Sequence, residues 1–369
     1  MPPLWTHTAL AQQIVFGPGT LEHLRALVKV TGARQALLVT TAGRLASAEG
    51  AQVESILGRS LASTFTEVAP HVPVPVVRHA VVQARRDGID LVISFGGGSC
   101  ADLAKAVCFF LEQEAGMAGA SHLDRPLVPH ISIPTTYSGA EVTPFFGMTD
   151  PATGQKQGAG GATSAPVSVI YDPRLTLSMP PRVAAETGMN ALAHCVEAVW
   201  SSHRSPEAEA IALAGVGLIS GALPAVVGAP EDLEARTVML EGACLAGRSL
   251  LNAGMGLHHG LAQIVGGRSG ISHGLANAVL LTHTIGYNAA AVPAAVERVG
   301  AALGVQGDTA GAVDRLRAAL GLPATLSEAG VEEADLAVMA RLTQSNANVA
   351  RNPRPVSEGD ALGILQAAW

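Results

Sequence analysis

The sequence predicts an α/β domain built on a parallel sheet, followed by an all-α domain. Three observations carry this prediction. Short Val-, Ile- and Leu-rich runs alternate with amphipathic stretches in the first part of the chain. Beyond about Thr176, long Ala- and Leu-rich segments with helical spacing take over. The chain has 369 residues, 48% of them hydrophobic, enough for two cores rather than one.

The strands expected are Gln35–Thr41, Asp90–Phe95, His130–Thr135 and Val167–Tyr171. Each is short, aliphatic and closed by Gly, Pro, Thr or the Asp172-Pro173 turn. Helices are expected over Val74–Arg86 and Ala101–Leu111, and this alternation implies a parallel sheet with helices on both faces. In the second part, helices are expected over Ala184–Ser201, Pro206–Val226, Leu233–Ala246, Gly254–Gly266, His273–Ala290, Pro293–Leu303 and Ala310–Leu320. The domains are placed at 1–170 and 171–369, with a cleft where they meet.

Composition narrows the function. The net charge is −7 with no basic run, and aromatics make up 4%, so nucleic acid and anionic membranes are not expected partners. Charged residues are only 14%, which implies extensive buried helical surface and suggests a homodimer. Cys100, Cys108, Cys195 and Cys244 form no Cys-x-x-Cys pair and read as buried free thiols. The N-terminus has no signal-peptide pattern and no membrane span is expected, giving a soluble, cytoplasmic reading.

Two tracts carry binding chemistry. Asp90–Phe95 runs into Gly96-Gly97-Gly98-Ser99, with Asp102 and Lys105 following on a helix. Glycines let a phosphate approach the backbone, and a helix N-terminus offers free N–H groups. Ser99 is expected to cap that helix and to donate to a phosphate oxygen. The spacing is neither G-x-G-x-x-G nor a Walker A loop, so a plain tight turn is the alternative. The second tract, Ile133-Pro134-Thr135-Thr136-Tyr137-Ser138-Gly139-Ala140-Glu141, also follows a strand. Ligands of open parallel sheets sit at the carboxyl ends of strands, and together the tracts suggest a nucleotide crevice.

A third constellation lies in the helical part. Asn190 and His194, four apart, share a helix face, and Gly256-Leu257-His258-His259-Gly260 and Ile271-Ser272-His273-Gly274 follow. Asn190, His194, His259 and His273 could converge on one point. Three imidazoles can bind zinc or iron, but Asn190 places an amide where a carboxylate would offset a cation's charge. A metal is therefore not expected; if one is present, His194, His259 and His273 are its ligands. His258 is rotated about 100° from His259, and His283 is assigned to packing.

GGGSCADLAKA, IPTTYSGAEVT, DPRLTLSMPPRVAAETGMNALAH and HHGLAQIVGGRSGISHG occur in the order found in the iron-containing (group III) alcohol dehydrogenase family, which the chain resembles over nearly its whole length. Within that family PTTYSGAEVTP, GMNALAHCVEA, GLHH and Asn352-Pro353-Arg354-Pro355 resemble the maleylacetate reductases. Gly260, Gln263 and Ser272–Asn277 depart from that pattern.

The resemblance implies a dehydroquinate synthase-like architecture: a dinucleotide-binding α/β domain and a helical catalytic domain, with NADH or NADPH as cofactor. Gly96, Gly97, Gly98 and Ser99 would hold the pyrophosphate, and Thr135, Thr136 and Tyr137 would flank the adenosine or nicotinamide half. Asp102 and Lys105 would support the loop. The early strand ends Val39-Thr40-Thr41 without an acid for the ribose 2′-OH, so both cofactors are expected to be tolerated.

The implied reaction reduces the conjugated C=C of maleylacetate, or a similar unsaturated keto acid, to 3-oxoadipate in aromatic catabolism. His259 and His273 would stabilise the enolate and deliver the proton, with His194 and Asn190 orienting. His258, Arg351 and Arg354 are expected at the anionic substrate. The alternatives are a metal-dependent alcohol dehydrogenase, a lyase resembling dehydroquinate synthase, and a degenerate NAD(P)-binding protein without turnover.

Overall fold

A computed structural model describes residues 5–116, 126–152 and 156–369. Two compact units emerge. Ala9–Ser178 forms one; Met179–Trp369 forms the other, joined by the described residues before Ala9. Thr8 N–H donates to Asn252 Oδ1 at 2.6 Å within the second unit. A break after residue 170, as expected from the sequence, would cut a strand.

The first unit contains β1 (Gln13–Phe16), β2 (Ala36–Thr40), β3 (Leu61–Phe65), β4 (Leu91–Gly96), β5 (His130–Pro134), β6 (Phe145–Thr149), β7 (Lys156–Gly160) and β8 (Ser168–Tyr171). Its helices are α1 (Leu24–Thr31), α2 (Ala42–Leu45), α3 (Ala48–Leu57), α4 (Val74–Arg86) and α5 (Gly98–Glu114). Six strands form a sheet in the order β1-β8-β5-β4-β2-β3, and every pairing is parallel. β6 and β7 form a separate antiparallel hairpin.

Side-chain alternation explains the layers. On β2, Leu37 and Val39 pack with Val77, Ala80, Leu103 and Val107 of α4 and α5. Ala36 and Leu38 point the other way, into a cluster with Leu24, Leu27, Val53 and Leu57 of α1 and α3. Both faces are covered, so the central strands read as continuous apolar runs. The strands missed by the sequence reading are β1, β3 and the hairpin. β1 and β3 are the sheet edges, part-exposed and less aliphatic.

The second unit is helical: α6 (Pro181–Trp200), α7 (Pro206–Gly228), α8 (Leu233–Ala253), α9 (Leu257–Ser269), α10 (His273–Ala289), α11 (Pro293–Ala302), α12 (Thr309–Ala319), α13 (Leu336–Leu342) and α14 (Glu358–Ala368). Small residues let α6, α7 and α8 approach closely. A Cβ on Gly188 of α6 would lie 2.6 Å from Leu223 Cδ1 of α7, and one on Gly215 would lie 2.7 Å from Cys195 Sγ. α7 has the length and a mean hydropathy of 2.1 that by themselves would suit a membrane span, and it packs on α6 and α8. All four cysteines are buried.

Two buried polar devices lock the first unit. The Lys105 ammonium is fully buried and donates to Ala140 O (2.9 Å), Phe145 O (2.5 Å) and Thr143 Oγ1 (3.3 Å), while pairing with Asp102 at 2.8 Å. It therefore ties α5 to the second tract. On the sheet, Ser94 Oγ bonds both His130 Nε2 and Ser132 Oγ at 2.8 Å. Burial, reinforced by the Lys105 charge, pushes His130 down to about 3.

Replacing Lys105 by Met strips three acceptors and Asp102 of their cation. We expect a loss of about 3 kcal/mol in urea unfolding, with no such loss for Lys29→Met on the exposed helix face. His130 stays neutral in the folded state but protonates in the unfolded chain below about pH 6.5. Stability is thus full above that pH and falls as pH drops toward 3. Urea midpoints at about pH 7 and pH 5 should show the fall; a shallower fall in His130→Asn assigns it, and an identical one removes His130 as the cause.

Candidate active site

The glycine turn is built for close approach. β4 ends at Gly96, whose φ of +152° disfavours other residues, and a Cβ there would lie 2.5 Å from Cys100 Sγ. A Cβ on Gly97 would lie 3.1 Å from Thr136 Cγ2, and one on Gly98 would lie 3.1 Å from Ser138. The second tract therefore packs directly over the turn, held by Thr135 N–H donating to Gly96 O at 2.9 Å.

Helix α5 begins at Gly98 with Gly97 as its cap residue and no side-chain cap. Ser99 is already inside the first turn, so the expected capping role is corrected. An uncapped first turn beside glycines suits a pyrophosphate, and these residues fit a dinucleotide. The other expected cofactor residues divide differently. Thr136 Oγ1 is a buried atom facing Gly97. Thr40 is buried, and its hydroxyl donates to Phe95 O at 2.7 Å. Tyr137 is fully buried and Lys105 lies beneath the tract, so neither presents a surface to a ligand. Asp102 accepts from Gly147 N at 3.4 Å, a supporting contact.

In the helical unit, one carboxylate organises the histidines. Glu197 lies three residues after His194 on α6 and is buried. It accepts from the backbone N–H of Gly256 (3.1 Å), His258 (2.8 Å) and His259 (3.3 Å). These are orphan donors at the start of α9, where Gly256 provides no side-chain cap. Glu197 Oε2 also lies 2.6 Å from His259 Nδ1. An ionised carboxylate can only accept, so His259 carries its proton on Nδ1 and turns Nε2 the other way. A Cβ on Gly256 would lie 2.8 Å from Glu197 Oε1, so any side chain there displaces the carboxylate.

The His259 ring gathers the others. His194 stacks on it with centroids 4.5 Å apart and planes 15° from parallel, and His273 lies at 6.1 Å. Burial and the neighbouring His259 push His194 well below its ordinary pKa, so it is neutral. Its Nδ1 and the Asn190 Oδ1 are buried atoms with no partner among the described residues. Ser272 caps α10 through Leu275 N–H and places His273 in its first turn.

His258 meets His259 edge-on, ring centroids 5.1 Å apart, but its ring nitrogens are spent inside the helical unit rather than offered to a substrate as expected. It is fully buried, with Nε2 at 2.7 Å from Asn277 Oδ1 and Nδ1 at 3.0 Å from Thr284 Oγ1. Asn277 Nδ2 donates to His273 O at 2.7 Å, which leaves its oxygen to accept from His258. Both ring nitrogens are committed, and burial lowers the pKa to about 3.

Arg354 is likewise anchored elsewhere. Its guanidinium carbon sits 4.1 Å from the Tyr287 ring centroid, and it donates to Tyr287 O. Arg351 is exposed beside Gly254, without an ion pair among the described residues. Between them Asn352 exchanges amide hydrogen bonds of 2.7 and 3.0 Å with Asn288.

The departures at Gly260 and Gln263 have local causes. A Cβ on Gly260 would lie 2.5 Å from Val349 Cγ2, so α9 leaves no room there. Gln263 accepts from Asn348 Nδ2 at 3.2 Å.

This donor set lacks the anionic ligand that would offset the charge of a divalent ion. Asn190 brings no charge, and Glu197 is turned toward α9 and His259 Nδ1. Sequence reasoning missed Glu197. Its signal was a lone carboxylate at the i+7 position from Asn190, on the same buried face.

Comparison with known proteins follows this division. Residues 11–173 match the family described as iron-containing alcohol dehydrogenase, and residues 184–369 match its C-terminal counterpart. The chain is 36% identical to a maleylacetate reductase of Burkholderia cepacia over 353 residues, covering 96% of this chain and 94% of the relative. It is similar to the crystal structure of maleylacetate reductase from Rhizobium sp. strain MTP-10005, with a TM-score of 0.87, 35% identity and coverage of 100% and 99%. A 1,3-propanediol oxidoreductase structure superposes with a TM-score of 0.93 at 29% identity, covering 99% and 100%.

Gly256→Ala drives a methyl into the Glu197 carboxylate. We expect a destabilisation of about 1–3 kcal/mol, read as a lowered thermal midpoint. An unchanged midpoint would show that the carboxylate is free to move.

Proposed function

The chain belongs to the iron-containing alcohol dehydrogenase family, and from that premise we propose that it is an NAD(P)H-dependent reductase of maleylacetate or a similar unsaturated keto acid. The observation that carries this reading is the Glu197–His259 pair, with the uncharged Asn190 two turns before Glu197 on α6. It supports proton and hydrogen-bond chemistry where a metal-dependent relative would need an anionic ligand.

The glycine turn, the first turn of α5 and Thr136 would hold the dinucleotide, which when bound supplies a hydride. Hydride addition to the alkene carbon β to the ketone develops negative charge on the carbonyl oxygen. A donor must meet that charge, and a proton must reach the α-carbon.

His259 suits the first task. With Glu197 at Nδ1, a proton on Nε2 produces an imidazolium whose charge is offset by the carboxylate. The stacked His194 is neutral, so the pair carries one positive charge rather than two opposed ones. Asn190 Oδ1 and His194 Nδ1 are free to orient substrate or water. His273 would hold the proton destined for the α-carbon. Arg351 remains the candidate for a substrate carboxylate, because a guanidinium binds it in a two-pronged fork. The low charge content supports a homodimer as part of the same proposal.

The purified protein should oxidise NADH or NADPH with maleylacetate and keep this turnover after chelation. Chelator-sensitive reduction of simple aldehydes, without maleylacetate turnover, would overturn the reading. His259→Ala should abolish turnover while NADH binding persists. Glu197→Gln turns an amide donor toward Nδ1–H and should lower kcat about 10–100-fold with little change in KM. Full kcat in that variant would remove Glu197 from the mechanism.

A further inference from the structure

We infer that Arg44 makes the dinucleotide site a receptor for the ribose 2′-phosphate of NADPH, so that NADPH binds more tightly than NADH. The inference rests on the NAD(P)H-dependent reading above and deepens it. In an open parallel sheet the adenosine ribose lies at the carboxyl end of the strand beside the glycine strand. Here β4 carries the glycine turn and β2 is its neighbour, paired through Thr40 and Phe95.

Nothing at the end of β2 offers a carboxylate to a ribose 2′-OH. Thr40 spends its hydroxyl on Phe95 O, and Thr41 accepts from Arg44 N–H at 3.3 Å as the cap of α2. The next charged side chain is Arg44 itself. It is half-buried, and its Nη1 donates to Ser178 Oγ at 2.7 Å. The guanidinium carbon lies 6.0 Å from the centroid of the Phe95 ring, one residue before Gly96.

Arg44 makes no ion pair among the described residues, and Glu49 acts on it only through space. A guanidinium has five N–H donors, and Ser178 uses one. A partly desolvated cation in this state still has its two-pronged face to offer, and phosphate matches that geometry. The pyrophosphate already has donors at the uncapped start of α5. The 2′-phosphate is the anion left for Arg44.

The test is direct binding, without substrate. NADPH, NADH and adenosine 2′,5′-bisphosphate are titrated against the wild type, Arg44→Gln and Thr41→Asp, with melting curves to check folding. The wild type should prefer NADPH about tenfold or more. Arg44→Gln should erase the preference and the affinity for the bisphosphate. Thr41→Asp keeps the helix cap, since Asp caps as well as Thr, and should also erase the preference by placing a carboxylate against the phosphate.

Equal wild-type affinities, or NADH and NADPH weakened in the same proportion by Arg44→Gln, would overturn the inference. The second result would assign Arg44 to the pyrophosphate or the fold. Binding of neither dinucleotide would overturn the reductase reading along with this one; NADH binding with an NADPH affinity indifferent to Arg44 would overturn this one alone.

Discussion

The Glu197 carboxylate is the interaction on which the helical unit's polar centre depends. It is buried and accepts three backbone N–H groups at the start of α9 while holding the His259 ring. Those N–H groups would otherwise be orphaned, and the carboxylate would otherwise be an uncompensated buried charge. Each need answers the other. Because the same oxygen that caps the helix also fixes the ring, the direction of His259 Nε2 is set by the helix's own stability.

The α/β unit solves a similar problem with the opposite sign. Lys105 is a buried cation that binds the carbonyls of Ala140 and Phe145. It holds the second tract over the glycine turn, so the turn is rigid without a side-chain cap. In both units a buried charge from one helix anchors backbone at the start or edge of another element.

Much of this was legible in the sequence. The central strands are aliphatic on both faces, and Val74–Arg86 and Pro206 onward show clear helical starts. The edges were not legible: β1 and β3 are part-exposed, and β6–β7 contain glycines that blur alternation. The glycine turn and the Asn190–His194–His259–His273 set could be named because their residue types are chemically costly to place in an apolar domain. Their partners could not. His258 was expected at the substrate, but Asn277 and Thr284, distant in sequence, take both its nitrogens. Arg354 looked available until Tyr287 lay beneath it. Glu197 could be placed on the buried face of its helix by its spacing from Asn190, but nothing local reveals that α9 begins on it.

The absence of a side chain at Gly260 has an evolutionary consequence. Its missing Cβ is the space that Val349 occupies, and Val349 begins the short turn that carries Arg351. Positions 260 and 349 are therefore bound to drift together. A lineage that acquires bulk on α9 must shed it from the turn or shift that turn outward. The placement of Arg351 is thus decided by a pair of small neighbours, neither of which carries a charge.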